Sequence, residues 1–202
     1  WNSLPDDALL DAADDGSLAD PEERRAQVER MLADPKAQRT LRSFHTQWLG
    51  IDGLAVLQKN AEHVPDFEVL RGSMQDELMR FIDWVMIEGD GSLETLLTAP
   101  YAFPDASLAE LYGVQLPDGH DPTDPLEVEH RAGLLTLPAF LATHAHDTES
   151  APIRRGVMVR TNLLCNPPPP PPPMAAGFCG GTKPMDPGAS VRAKGIWAGL
   201  FF

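Results

Sequence analysis

The chain has 202 residues, with 30 acidic side chains against 16 Lys and Arg, a formal charge of −14 and 43 % apolar residues. That size and apolar content suit one or two small domains with a proper core and exclude wholesale disorder. The acid excess argues against a nucleic-acid partner, which needs clustered Lys and Arg, and there is no apolar run of about 18 residues to form a transmembrane segment.

The first residue is Trp1, and no basic stretch leads into an apolar one, so no signal peptide is visible. Trp1-Asn-Ser-Leu-Pro-Asp-Asp reads as the interior of a processed or truncated chain. Ser3-Leu-Pro-Asp opens a first helix, with Leu4, Ala8, Leu9 and Ala12 as its apolar side. Asp20-Pro21-Glu22-Glu23 opens a second. Asp20 is placed to cap, Pro21 suits the first helical position, and Glu23 completes a capping box. Val28, Met31 and Leu32 then face the core. Asp34-Pro35 opens a third helix in the same way. Its stripe of Leu41, Phe44, His45, Trp48 and Leu49 has the spacing of one helix face, and Gly50 ends it. The fourth helix runs from about Pro65 to Glu88 on Phe67, Leu70, Met74, Leu78, Phe81, Ile82 and Val85. Gly89-Asp-Gly91 stops it.

Two short helices follow, near residues 92–98 and 105–112. Residues 113–132 are rich in Pro, Asp and Gly and read as a loop. The stretch from Gly133 to Leu141 is apolar and fits a buried helix or a strand. Pro152 to Leu164 reads as a last helix. No alternating pattern argues for strands, so the fold class is all-α, an irregular helical bundle packed by ridges into grooves.

Pro167 to Pro173 is an unbroken proline run that favours a stiff polyproline II rod. Before it the chain carries a charge of −16, and after it +2, with six of the 16 glycines. The expected organisation is a helical domain over 1–130 and a truncated companion over 131–166. A polyproline linker over 167–173 and a Gly-rich, disordered tail over 174–202 follow. Cys165 and Cys179 flank the rod. Its stiffness makes a disulfide between them awkward to close.

The densest polar cluster is Thr143-His144-Ala-His146-Asp147-Thr148-Glu149-Ser150. His144, His146, Asp147 and Ser150 have the residue types for a base beside a nucleophile. His144, His146, Asp147 and Glu149 have those of a zinc or calcium site. The spacing is not the i, i+4 pair of a zincin helix. The same residues equally suit a turn that caps the helix starting at Pro152. Asp118 and Asp121, in the acidic 118–124 loop, offer calcium ligands without the pattern of an EF-hand; a solvated loop reads the same way. Glu129-His130-Arg131 fits a supporting role or a surface turn. Arg154, Arg155 and Arg160 form the one basic cluster of the body, suited to gripping an anion or, more commonly, to pairing with nearby acids. His45 on its apolar stripe reads as a buried, hydrogen-bonded histidine. No complete catalytic, nucleotide-binding or haem-attachment motif is present.

Several stretches resemble a known pair of bacterial domains. Trp1-Asn-Ser-Leu-Pro-Asp-Asp-Ala-Leu-Leu is similar to the opening of the first. Ala26 to Pro35, Phe44-His-Thr-Gln-Trp-Leu-Gly50, Tyr101-Ala-Phe-Pro-Asp105 and Leu108-Ala-Glu-Leu-Tyr-Gly113 continue it. From Arg131-Ala-Gly-Leu-Leu-Thr136, through His144 to Gly156 and Leu163-Leu-Cys165, the chain resembles the companion domain. The resemblance spans roughly residues 1–173. It is to the surface-cytochrome-associated domains of unknown function found in planctomycetes and myxobacteria. It implies a periplasmic or cell-surface protein connected with electron transfer, with haem modules elsewhere in the parent protein. No catalytic residues are established for the family, so none is carried over. Fuller members place C-x-x-C-H and Met-Asp-Pro after the proline run. This chain has Cys179-Gly-Gly-Thr-Lys183 and Met185-Asp-Pro. The second Cys and the His are missing, so no covalent haem is expected on this chain. A frame slip or a fragment end would produce such a tail.

Two functional readings stand. One is a partner-binding or electron-transfer-linked module of an exported cytochrome-associated protein, with an unassigned protein or small-molecule partner. The other is a calcium- or zinc-dependent hydrolase of small esters or lactones. A polyproline scaffold for a proline-reading domain is a weaker third.

Overall fold

A computed structural model describes residues 1–169. The helix-start signals in the sequence decide its first half. Helix α1 covers Asp7–Asp14, with Asp6 at the N-cap accepting from the Leu9 N–H. Helix α2, Pro21–Leu32, is capped by Asp20. Helix α3, Pro35–Trp48, is capped by Asp34, whose carboxylate accepts from the Lys36 N–H at 2.7 Å. Each cap satisfies a backbone donor that the helix itself leaves unpaired. Replacing Asp34 by alanine is expected to cost about 1 kcal/mol in urea unfolding. Gly50, at φ +63°, closes α3 as the sequence indicates.

Helix α4, Phe67–Asp83, runs through the centre and continues as a π-turn over Trp84–Glu88. It packs against α3, against α6 (Ala106–Tyr112) and against α7 (Pro138–Thr143). Helix α5, Leu93–Thr98, precedes β1, Tyr101–Ala102, which pairs antiparallel with β2, Leu126–Glu127. Helix α8, Pro152–Met158, continues as a π-turn over Val159–Leu163. The described residues therefore form an all-α bundle, and its strands amount to one two-residue pair. The apolar stretch that fitted helix or strand becomes a 3-10 turn, Leu134–Thr136, followed by α7.

The core gathers Leu49, Met74, Leu78, Phe81, Ile82, Phe103 and Leu108 with Leu134, Leu137 and Phe140, so residues beyond 131 complete the same core as those before it. Three sequence expectations fail here. Helix α2 buries no residue, and Val28 and Leu32 are 53 % and 64 % exposed rather than facing the core. Leu4 lies before α1 and is 83 % exposed. Phe44, on the α3 stripe, is 56 % exposed and stacks on Trp48 at 5.8 Å. Val28, Leu32 and Phe44 lie on helix faces that no neighbouring element covers, and Leu4 precedes the helix whose face it was expected to join. Residues 170–173 of the proline run, the tail from 174 and the Cys165–Cys179 pairing lie outside the described residues.

Candidate functional site

Helix α7 ends at Thr143, and the chain turns through residues 144–150 before α8. The His144 Nε2–H donates to the Leu49 carbonyl at 2.8 Å, and the ring lies 4.6 Å from that of Phe140. Burial holds its pKa below the ordinary histidine value, against the opposing pull of the Leu49 bond. His144 is thereby a neutral ring fixed to the end of α3. The Lys59 ammonium donates to the carbonyls of Ala145 and His146, at 3.2 and 2.8 Å. Burial lowers the Lys59 pKa, and the nearby Asp147 opposes that shift. The His146 N–H donates to the Glu149 carbonyl at 2.9 Å, closing the turn. The side chains of His146, Asp147 and Glu149 are exposed. Ser150 Oγ accepts from Arg155 at 3.0 Å.

The cluster is thus a turn anchored by main-chain bonds. It does not cap α8 as the sequence suggested, because Ala151 is the N-cap and no side chain bonds there. Asp118 and Asp121 sit in the separate exposed loop. Asp121 accepts from the N–H and the hydroxyl of Thr123, both at 2.8 Å, and the first of these chiefly lowers its pKa. Arg80 holds that loop through the Thr123 carbonyl. Among the described residues, no three His, Cys, Asp or Glu side chains converge to hold a metal ion. His45 is buried, with Nδ1 2.7 Å from the Leu41 carbonyl, as its place on the stripe suggested.

The most buried polar assembly was not read from the sequence. Glu77 of α4 is 2 % exposed. The Tyr112 hydroxyl lies 2.7 Å from both carboxylate oxygens, and the Phe103 N–H donates to Oε1 at 3.2 Å. The Arg131 guanidinium stacks 4.4 Å over the Tyr112 ring, and its Nη1 donates to the Thr136 carbonyl at 2.6 Å. The Ser73 hydroxyl donates to Asp105, whose carboxylate caps α6 at Leu108. Asp83, also buried, takes bonds from Gln38 and Arg42 of α3. A signal existed: Glu77 interrupts the apolar face that runs through Leu70, Met74 and Phe81.

Residues 131–166 are tied back in further places. The Trp48 indole donates to the Asn162 carbonyl at 2.9 Å, and the Asn162 amide donates to the Trp48 carbonyl at 2.6 Å. Asn162→Ala is expected to cost about 1 kcal/mol. Hydrogen exchange should then quicken across α8 while α4 keeps its protection.

A family model described as PSD4, protein of unknown function (DUF1592), matches residues 1–114. That is more than half of the chain. The chain belongs to the DUF1592 family. A second model, PSCyt3, protein of unknown function (DUF1588), matches residues 131–194 of this DUF1592 chain. The two consecutive domains match the planctomycete cytochrome-associated domains of unknown function. Glu77, Phe103 and Tyr112 lie in the DUF1592 match, and Arg131, His144 and Asn162 in the DUF1588 match. The cluster around Glu77, the His144–Leu49 bond and the Trp48–Asn162 pair all join the two. No curated protein and no solved structure matches the chain. Among the described residues, no helix is long and apolar enough to cross a membrane.

Proposed function

We propose that the chain is a helical module of an exported cytochrome-associated protein, where it binds a partner or serves an electron-transfer partner. The observation that carries this reading is the PSCyt3 match beginning at residue 131, whose residues Leu134, Leu137 and Phe140 also complete the common core. The setting on this reading is the periplasm or cell surface. Haem would sit on a neighbouring module or partner, because the chain has no C-x-x-C-H attachment site.

Immobilised chain, incubated with periplasmic and surface fractions of the native cell, tests it. A retained polypeptide that stains for covalent haem is the expected result. Retention of no polypeptide, or covalent haem on the purified chain itself, would overturn it. The hydrolase reading would use His144, His146, Asp147 and Ser150, with calcium or zinc activating water. Ester and lactone turnover, with and without EDTA, tests that reading, and a His144→Ala/His146→Ala double variant assigns it. The turn supports it less well, because His144 already commits Nε2 to the Leu49 carbonyl.

A further inference from the structure

The stretch from Ala151 to Asn166 carries Arg154, Arg155 and Arg160 and no acid, in a body whose charge up to residue 166 is −16. The sequence suggested that these arginines pair with nearby acids. Among the described residues, none of them makes an ion pair with an acid. Arg155 bonds to Ser150, and Arg154 and Arg160 are exposed. Exposed apolar side chains alternate with them: Ile153 at 81 %, Val157 at 41 % and Leu164 at 65 %. Ile153, Arg154, Val157 and Thr161 border a shallow, open groove of about 400 Å³ that reaches His144. Asn162 fastens the segment to Trp48, so the groove has a fixed wall and a cationic rim.

Helix α1 has the complementary character. Asp7, Leu10, Asp11 and Asp14 are exposed and share one helix face, at i, i+3, i+4 and i+7. Leu4 stands fully out before the helix. The arm offers apolar knobs among carboxylates, and the groove offers an apolar floor among guanidiniums.

We propose that the α1 arm of a second copy of this chain docks in the α8 groove. Leu10 and Leu4 seat against Ile153 and Val157, and Asp7, Asp11 and Asp14 face Arg154 and Arg160. The contact is heterologous, so each copy keeps one groove or one arm open and copies join head to tail. The net charge of −14 opposes approach at long range. Salt at about 0.1 M screens that repulsion beyond roughly 10 Å and leaves the contact pairs in place. An anionic membrane is the competing occupant of a basic, apolar helix. The net charge of −14 opposes any anionic surface, whereas the α1 arm brings exposed Leu4 and Leu10 together with its carboxylates.

Sedimentation of the full 202-residue chain from about 1 µM to about 1 mM tests the proposal. Concentration-dependent oligomers are expected. Arg154→Glu/Arg160→Glu should weaken association roughly a hundredfold, through like charges placed face to face. Leu4→Asp/Leu10→Asp should weaken it comparably, and Arg154→Lys/Arg160→Lys should retain it. Circular dichroism confirms that each variant is folded. An equimolar mixture of the two blocked variants should give a discrete heterodimer, because one intact arm and one intact groove remain. A wild-type chain that stays monomeric throughout overturns the proposal, as does a mixture that stays monomeric. Binding of wild type to vesicles rich in anionic lipid, without self-association, overturns it in favour of a membrane.

Discussion

Gly133→Ala is expected to destabilise the chain by about 3 kcal/mol or more, enough to lower the melting temperature by roughly 6–12 °C. Gly133 has φ +66° and ψ −172°, a region that is essentially closed to residues with a side chain. A Cβ there would come within 2.2 Å of the Leu97 carbonyl carbon, 2.5 Å of the Leu97 oxygen and 2.6 Å of the Leu96 oxygen. All three are backbone atoms at the end of α5, so no rotamer change relieves the contact. The Gly133 N–H also donates to the Ala99 carbonyl at 2.7 Å. The clash must therefore push residues 131–137 away from α5, taking Leu134 and Leu137 out of the core. Gly72→Ala in α4 is the control. No atom lies within 4 Å of a Cβ there, and the helical backbone suits alanine. It should stabilise by roughly 0.5–1 kcal/mol. Thermal unfolding followed by circular dichroism reads both, and equal melting temperatures for Gly133→Ala and wild type would refute the close approach.

The contrast between those glycines shows which parts of the molecule the sequence makes legible. Helix starts at Asp20-Pro21 and Asp34-Pro35 depend on neighbours two or three residues away, and the structure has both. The end of α3 at Gly50 is equally local. Periodicity reports which residues share a face, but not whether another element covers it. That is why Val28, Leu32 and Phe44 look like core residues and are exposed. The 144–150 cluster was legible as a concentration of polar side chains. The partner that occupies His144 is a main-chain carbonyl 95 positions earlier, and nothing in the local sequence marks it. The Glu77 cluster is harder still, because α4, the Phe103 strand end, α6 and Arg131 must all close around it. Each of those pieces was conspicuous as a separate motif, and their meeting is a property of the fold.

Wild type should lose roughly 3 kcal/mol of stability relative to a Glu77→Gln variant as pH rises from about 4.5 to 8. Burial pushes the Glu77 carboxyl up from 4.5 to about 7; the bonds from Tyr112 and Phe103, and the Arg131 charge, pull the other way. The folded acid therefore holds its proton over a range in which the unfolded one has lost it. Its contribution is full below about 4.5, falls as pH rises through about 7, and is flat above. Tyr112, whose own pKa burial raises well above 10, remains a phenol and a donor throughout. Glutamine keeps an acceptor for Tyr112 or Phe103 and has no proton to lose. His45 and His144 run against this trend. Burial lowers both below 6.5, so they cost stability as pH falls through that value. The two histidines are common to wild type and variant, so the difference between the two unfolding curves isolates Glu77. Urea unfolding at pH 5, 6, 7 and 8 supplies those curves. A difference that stays constant with pH would show an ordinary carboxyl. One of opposite sign would show that Tyr112, Phe103 and Arg131 hold Glu77 ionised, which would make it the charged centre of the joint between the DUF1592 and DUF1588 segments.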